Sequence, residues 1–127
     1  MMEKILQGSD RLITVSVVDC DGNLIILNDP TVENVFASLI ANDCQIAEYA
    51  TDITGLTNIN LMTINASNNY QLDIAINRQE SINFPVADLN VLVTVIYTDA
   101  NFKDNQRHVK HLVKRVATLV SGNFINP

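Results

Sequence analysis

The sequence predicts an all-β domain, and two observations support this prediction. Short runs of β-branched and aliphatic residues recur along the chain, and Asn, Asp and Gly interrupt them about every 8 to 12 residues. This spacing of strands and turns is typical of an all-β sandwich or barrel. The second observation is the alternation of apolar and polar residues over residues 70–77, which is the period of two of a strand with one face in the core.

Two hairpins are predicted in the first half of the chain. Residues 12–18 form the first strand, and Asp21-Gly22 between this run and residues 24–27 is a strong signal for a hairpin turn. Pro30 ends the second strand, because proline cannot donate a hydrogen bond to a ladder. Residues 35–41 and 45–50 predict the second hairpin, with its turn at Asn42-Asp43.

The second half of the chain contains one ambiguous element. Residues 56–65 are predicted to pair with residues 70–77, and residues 91–98 are apolar on both faces, as in a central strand that is covered on each side or lies in an interface. In residues 107–120 the apolar residues recur at spacings of three and four, which also fits an amphipathic helix. A strand is favoured, because residues 91–98 would otherwise lack a hairpin partner.

Length and composition indicate one domain that spans residues 1–127. The chain is 47% apolar and 17% charged, which is too few charges for a disordered segment. Residues 1–7 and 121–127 are predicted as short arms that become ordered on a partner. The start of the chain lacks the apolar core of a signal peptide, so the sequence predicts a protein of a reducing cytoplasm in which Cys20 and Cys44 are free thiols.

Charge is distributed unevenly along the chain. The net charge of -6 argues against nonspecific binding to nucleic acid, yet five of the eight basic residues fall between positions 103 and 115. This basic segment is interpreted either as a solvated face or as a contact for the acidic body of a neighbouring subunit. The candidate partner-binding residues are Lys103, Arg107, Lys110, Lys114, Arg115 and, in the C-terminal arm, Phe124.

No recognised catalytic or cofactor motif occurs in the sequence. The phosphate-binding glycine motifs and the Gly-x-Ser-x-Gly elbow are absent, and the chain has only four glycines. His108 and His111 lie far in sequence from both cysteines, without the spacing of a zinc site or a Cys-His pair. The sequence therefore predicts a protein that is not an enzyme and needs no cofactor, metal or small-molecule substrate. A calcium site is an alternative interpretation of Asp19, Asp21 and Asn23, because their side chains offer oxygen ligands, although the EF-hand spacing is missing.

The order of these elements resembles a known group of viral domains. Residues 7–10 (QGSD) before the first strand, followed by Asp21-Gly22-Asn23, resemble the opening of the small immunoglobulin-like domains of tailed-phage virions. Residues 91–99 (VLVTVIYTD) and the loop at 102–105 are similar to the closing hairpin of those domains. The resemblance covers residues 7–117 and implies an immunoglobulin-like antiparallel β-sandwich of about seven to nine strands.

The resemblance also implies a role. Members of this group are auxiliary capsid proteins that decorate or cement a shell, head-fibre attachment domains, or N-terminal domains of baseplate upper proteins. It implies a virion protein, assembled in the host cytoplasm, that binds the major capsid protein or other virion proteins and further copies of itself, with no contact to nucleic acid or membrane. The alternative prediction is a β-sandwich module that binds carbohydrate or a host surface through loops at one end.

Overall fold

The computed structural model describes residues 3–122, and nearly all regular structure in this part of the chain is β-strand. The elements are β1 (Glu3–Leu6), β2 (Arg11–Ser16), β3 (Val32–Ala41), β4 (Cys44–Ala50), β5 (Asn60–Leu61), β6 (Thr63–Ile64), β7 (Gln71–Ile76), α1 (Arg78–Ser81), β8 (Ala87–Thr98) and β9 (Gln106–Val120). One sheet has six strands in the order β1-β9-β8-β3-β4-β5, and the other has three in the order β2-β7-β6. The all-β prediction is confirmed.

Two predicted hairpins lie at the centre of the six-stranded sheet. Asn42 and Asp43 join β3 to β4 with φ angles of 53° and 61°, the pair of left-handed residues that a type I′ turn requires. β8 and β9 are antiparallel neighbours from Thr98↔Gln106 onward, so the segment 107–120 is a strand and the helical alternative is wrong. β9 pairs with β8 along nearly the whole length of β8, and this pairing places Val109 and Val113 against the core.

The six-stranded sheet is mixed rather than purely antiparallel. β4 pairs in parallel with β5, and β1 pairs in parallel with the end of β9, where Glu3 is opposite Ala117. The structure therefore differs from the prediction of an N-terminal arm over residues 1–7. Ile5 is only 1% exposed and belongs to the core, so burial of this side chain holds β1 in the sheet. A strand of four residues is too short to show a period of two in the sequence.

Residues 24–27 do not form the second strand of the first predicted hairpin. The turn itself is present, since the Asp19 N–H donates to the Asn23 carbonyl at 2.9 Å and Gly22 has a φ of 83°. Beyond the bridge between Val18 and Leu24, the chain leaves the ladder. Ile25 and Leu27 are buried there, so this segment closes one end of the core instead of extending a sheet. Residues 56–65, also predicted as one strand, contain only the two short strands β5 and β6.

Both sheets contribute to one hydrophobic core. Inward-facing residues of β2 and β7 pack with those of β3 and β8, and the alternation predicted for residues 70–77 is confirmed because Leu72, Ile74 and Ile76 are all buried. The short helix α1, which the sequence did not predict, is capped by the Asn77 side chain, which accepts a hydrogen bond from the Glu80 N–H at 2.8 Å. The opposite side of the six-stranded sheet faces away from this core.

Candidate partner-binding surface

The predicted basic residues of β9 do not form one patch, because side chains alternate across a strand. Lys110 and Lys114 are exposed on the side of the sheet that faces away from the core, whereas Val109 and Val113 pack against the core. Arg107, at an odd spacing from Lys110, lies on the core side. The sequence places these charges on one strand, and the structure separates them into two groups.

Arg107 and Arg115 form ion pairs within the subunit. The Arg107 Nε lies 3.4 Å from Asp99 Oδ2, and its guanidinium lies over the Tyr97 ring. The Arg115 Nε lies 3.2 Å from Asp88 Oδ2. Burial raises the pKa of Tyr97, and the positive charge of Arg107 opposes this shift. Both arginines thus already have partners inside the chain.

Arg115 also marks a β-bulge in β9. Its φ is 55°, and its backbone N–H donates to Asn90 Oδ1 at 2.8 Å instead of to a strand partner. The pairing register between β8 and β9 shifts at this position, where Val91 is opposite Val113 and Leu89 is opposite Ala117. The bulge separates the part of β9 that pairs with β1 from the part that carries the free lysines.

Lys103, Lys110 and Lys114 are exposed and have no ion pair within residues 3–122. Lys103 lies in the loop between β8 and β9, next to the half-exposed ring of Phe102. Phe124, the last of the predicted contact residues, lies outside the described residues. The lysines of β9 are therefore the charges available to a partner on this face.

We call the side of strands β9, β8, β3 and β4 that faces away from the core the outer face. Ala50, at the end of β4, is fully buried there, whereas the larger apolar side chains of this face are partly exposed, and none of them belongs to the core cluster. The central strand β8 was predicted to be covered on each side or to lie in an interface. In the described part of the chain, the three-stranded sheet covers only the inner side. The large apolar residues at the centre of the outer face are Phe36, Ile40, Leu92, Ile96 and Leu112.

The outer face carries two lysines along one margin and one glutamate along the other. Ladder pairing aligns Leu112 of β9 with Leu92 of β8, and the row continues through Ser38 to Glu48 of β4. Lys110 and Lys114 flank Leu112 along β9. An apolar centre between opposite charges is a surface that suits contact with another protein better than chemistry on a small molecule.

The edge of β9 is open over much of its length. β8 pairs with one side of the strand, but on the other side β1 pairs only from Ala117 to Val120. Over residues 106–116 no described strand adjoins this edge. Natural edge strands limit unspecific pairing with charged side chains and bulges. This edge carries Lys110, Lys114 and the bulge at Arg115.

A polar groove lies at the turn between β6 and β7. Its volume is about 420 Å³, and it includes the Tyr70 ring and the exposed side chains of Asn28 and Asn69. The neighbouring Asn65 holds the turn, because its Oδ1 accepts from the N–H groups of Ser67 and Asn68, at 2.9 Å each. No spacing of the asparagines in residues 65–69 indicates a groove from the sequence alone.

The candidate metal ligands have other roles or lie apart. Asp19 Oδ1 accepts hydrogen bonds from the N–H groups of Asp21 and Asn23, both at 2.9 Å, so this oxygen holds the turn. His108 and His111 point to opposite sides of β9. Within residues 3–122, no group of three His, Cys, Asp or Glu side chains is arranged to hold a metal ion.

The chain was compared with protein-family models, curated proteins and solved structures, and none of them matches it. Among the described residues, no helix is long and apolar enough to cross a membrane.

Proposed function

We propose that the protein is a non-enzymatic structural protein of a phage virion with an immunoglobulin-like β-sandwich. Its role is that of an auxiliary capsid protein, which decorates or cements the shell, or of an adaptor for head fibres. The observation that carries this proposal is the outer face, where Lys110 and Lys114 lie without ion pairs beside a row of partly exposed apolar side chains. The resemblance of residues 7–10, of Asp21-Gly22-Asn23 and of the closing hairpin to phage domains supports the virion assignment.

Such a protein acts by contact alone. A cementing subunit bridges its neighbours and adds interface area, and many weak contacts on one particle together give high avidity. Exposed lysines on a chain of net charge -6 steer an acidic neighbour to one side of the molecule. The open edge of β9 and the outer face offer two adjoining contact areas for this purpose.

The first test is quantitative mass spectrometry of purified particles from the virus or cell that encodes the chain. A copy number comparable to that of the major shell protein is expected for a decoration protein, and a few copies or a dozen for a fibre adaptor. Absence from particles would overturn the virion proposal.

The second test asks whether the free lysines make the contact. The double variant Lys110→Glu with Lys114→Glu is expected to occupy particles less fully than wild type, because both charges are exposed and unpaired. Arg78→Glu, an exposed reversal in α1 directly after β7 of the three-stranded sheet, is the control and should leave occupancy unchanged. Full occupancy by the double variant would show that charge pairing at β9 is not the attachment mechanism.

A second candidate function is the binding of a neutral carbohydrate, and the polar groove favours it. The side-chain amides of Asn28 and Asn69 have no hydrogen-bond partner within residues 3–122 and can bond sugar hydroxyls, and the Tyr70 ring offers an apolar surface for a sugar ring. A panel of glycans should then contain one that raises the melting temperature. Tyr70→Ala should abolish the rise, and Tyr70→Phe should retain it. No rise with any glycan of a broad panel would exclude this candidate.

A further inference from the structure

We infer that the outer face is the contact between two copies of this chain, packed face to face about a two-fold axis that runs parallel to the strands between β8 and β3. This inference rests on the proposed assembly function and names a second copy as one of the neighbours. Three properties of the outer face support it: the charges at its margins, the alternation of large and small side chains, and its area.

The charges select this orientation. A two-fold axis parallel to the strands sets β9 of one copy over β4 of the other, whereas an axis perpendicular to the strands would set β9 over β9 and bring lysine against lysine. In the first arrangement Glu48 lies over the row of Leu112. Lys110 and Lys114 are two residues to either side of that row, roughly 7 Å along the strand. The symmetry makes this contact twice.

Side-chain size alternates in a way that suits the same axis. On the outer face, Phe36 of β3 is paired with Thr94 of β8, and Leu92 of β8 is paired with Ser38 of β3. The axis sets β8 of one copy over β3 of the other. Phe36 of one copy then lies over Thr94 of the other, and Leu92 lies over Ser38. Large groups over small ones allow two sheet faces to interdigitate at the usual separation of about 10 Å.

In the remaining rows an isoleucine of one strand is paired with an asparagine of the other. Ile96 is paired with Asn34, and Ile40 with Asn90. The Asn34 Nδ2 donates to the Asp52 carbonyl at 2.8 Å, and its Oδ1 accepts from the Asp52 N–H at 3.0 Å. The Asn90 Oδ1 accepts from the Arg115 N–H at 2.8 Å. The Asn34 amide and the Asn90 Oδ1 thus have partners in the subunit, so an isoleucine can cover these atoms at little cost.

The area of the face is sufficient for a specific dimer. Four strands spaced by about 4.8 Å, each contributing about 30 Å of length, give roughly 500 Å² per copy, or roughly 1,000 Å² in total. This is at the lower limit for specific interfaces. We therefore expect a dimer of moderate affinity that forms reversibly.

The oligomeric state of the purified chain, measured by analytical ultracentrifugation over a range of micromolar concentrations, tests the inference. Wild type is expected to show a concentration-dependent dimer. Leu112→Lys, at a side chain that is 44% exposed, should weaken dimerisation by at least about tenfold because it removes apolar contact and adds like charge. Leu12→Lys on the three-stranded sheet, at a side chain that is 57% exposed, is the matched control and should leave the dimer intact.

A charge exchange tests the orientation. Glu48→Lys alone should weaken the dimer, as should Lys110→Glu combined with Lys114→Glu, and the triple variant should restore it. Circular dichroism of each variant verifies the fold. A monomer at every concentration, or a dimer that Leu112→Lys leaves unchanged, would overturn the inference, and failure of the triple variant would overturn the orientation.

The outcomes separate this inference from the proposed function. A dimer in solution together with absence from particles would refute the virion role alone. A monomer whose occupancy of particles falls with Leu112→Lys would show that a shell protein, and not a second copy, covers the outer face.

Discussion

The guanidinium of Arg107 lies over the ring of Tyr97, its direct partner across β8 and β9, with 4.3 Å between Cζ and the ring centroid. The same group pairs with Asp99 at the end of β8. Arg107 therefore has partners within the subunit, although the sequence places it in the same basic cluster as Lys110.

Arg107→Ala should lower the free energy of unfolding by about 1 kcal/mol, since it removes a partly exposed cation–π contact and an ion pair. Urea titration measures this change. Lys110→Ala is the comparison and should leave stability within about 0.5 kcal/mol of wild type, because the side chain has no partner within the described residues. Equal losses for the two variants would contradict the division of β9 into structural and free charges.

The buried Tyr49 should make stability decrease at alkaline pH. Its side chain is 0% exposed and its hydroxyl donates to Glu80 Oε1 at 2.8 Å. Burial raises the pKa of Tyr49 far above the usual value, and the hydrogen bond and negative charge of Glu80 add to this shift. The unfolded chain releases the proton near pH 10 while the folded chain keeps it, so stability falls as the pH rises above about 10.

Tyr49→Phe removes this contribution. At neutral pH it should cost about 1 kcal/mol for the lost hydrogen bond, while Glu80 retains the bond from the Asn60 amide. Above about pH 10 its stability should fall less steeply than that of wild type, by up to about 1.4 kcal/mol per pH unit. Chemical unfolding at several pH values measures both effects, and parallel pH curves would contradict the assignment.

Asp43→Gly should stabilise the β3–β4 hairpin. Asp43 has a φ of 61° as the second residue of the type I′ turn, a position that glycine occupies without strain. We expect a gain of about 0.5 to 1 kcal/mol, measured as a higher melting temperature. Asp104→Gly, in a turn where residue 104 has no positive φ, is the control and should be neutral or destabilising.

Ile5→Ala tests whether β1 belongs to the folded domain. The side chain is almost fully buried, so the substitution should cost about 2 to 4 kcal/mol. Lys4→Ala, at the exposed neighbouring position, should cost less than about 0.5 kcal/mol. A negligible effect of Ile5→Ala in thermal unfolding would restore the original prediction of an arm.

The sequence predicted those elements whose signal is local. The turn at Asn42-Asp43 and the alternation in β7 are short-range patterns, and both occur as predicted. β1 could not be predicted, because its pairing depends on Ala117–Val120 at the far end of the chain. Residues 24–27 have the composition of a strand but close one end of the core. Their position depends on contacts with residues distant in sequence, so no local pattern predicts it.

The candidate surface was predicted only in part. The concentration of positive charge on residues 103–115 is visible in the sequence, and Lys110 and Lys114 are exposed as expected. The intrasubunit partners of Arg107 and Arg115 lie on β8 or directly after it, so only the pairing register shows that these charges are used internally. Glu48 is distant in sequence from β9, and three ladder pairings connect the two strands across the outer face.

The parallel pairing of β1 with the end of β9 constrains the order of events during synthesis. Glu3 and Ala117 are neighbours in the sheet although almost the whole chain separates them. A ribosome therefore releases the first strand long before its partner exists, and Ile5 stays exposed until the last strand has left the exit tunnel. Folding with such distant contacts is slow, because loop closure costs entropy before the pairing stabilises the product. Nascent chains that stall before residue 117 would display an unpaired apolar segment to chaperones and proteases.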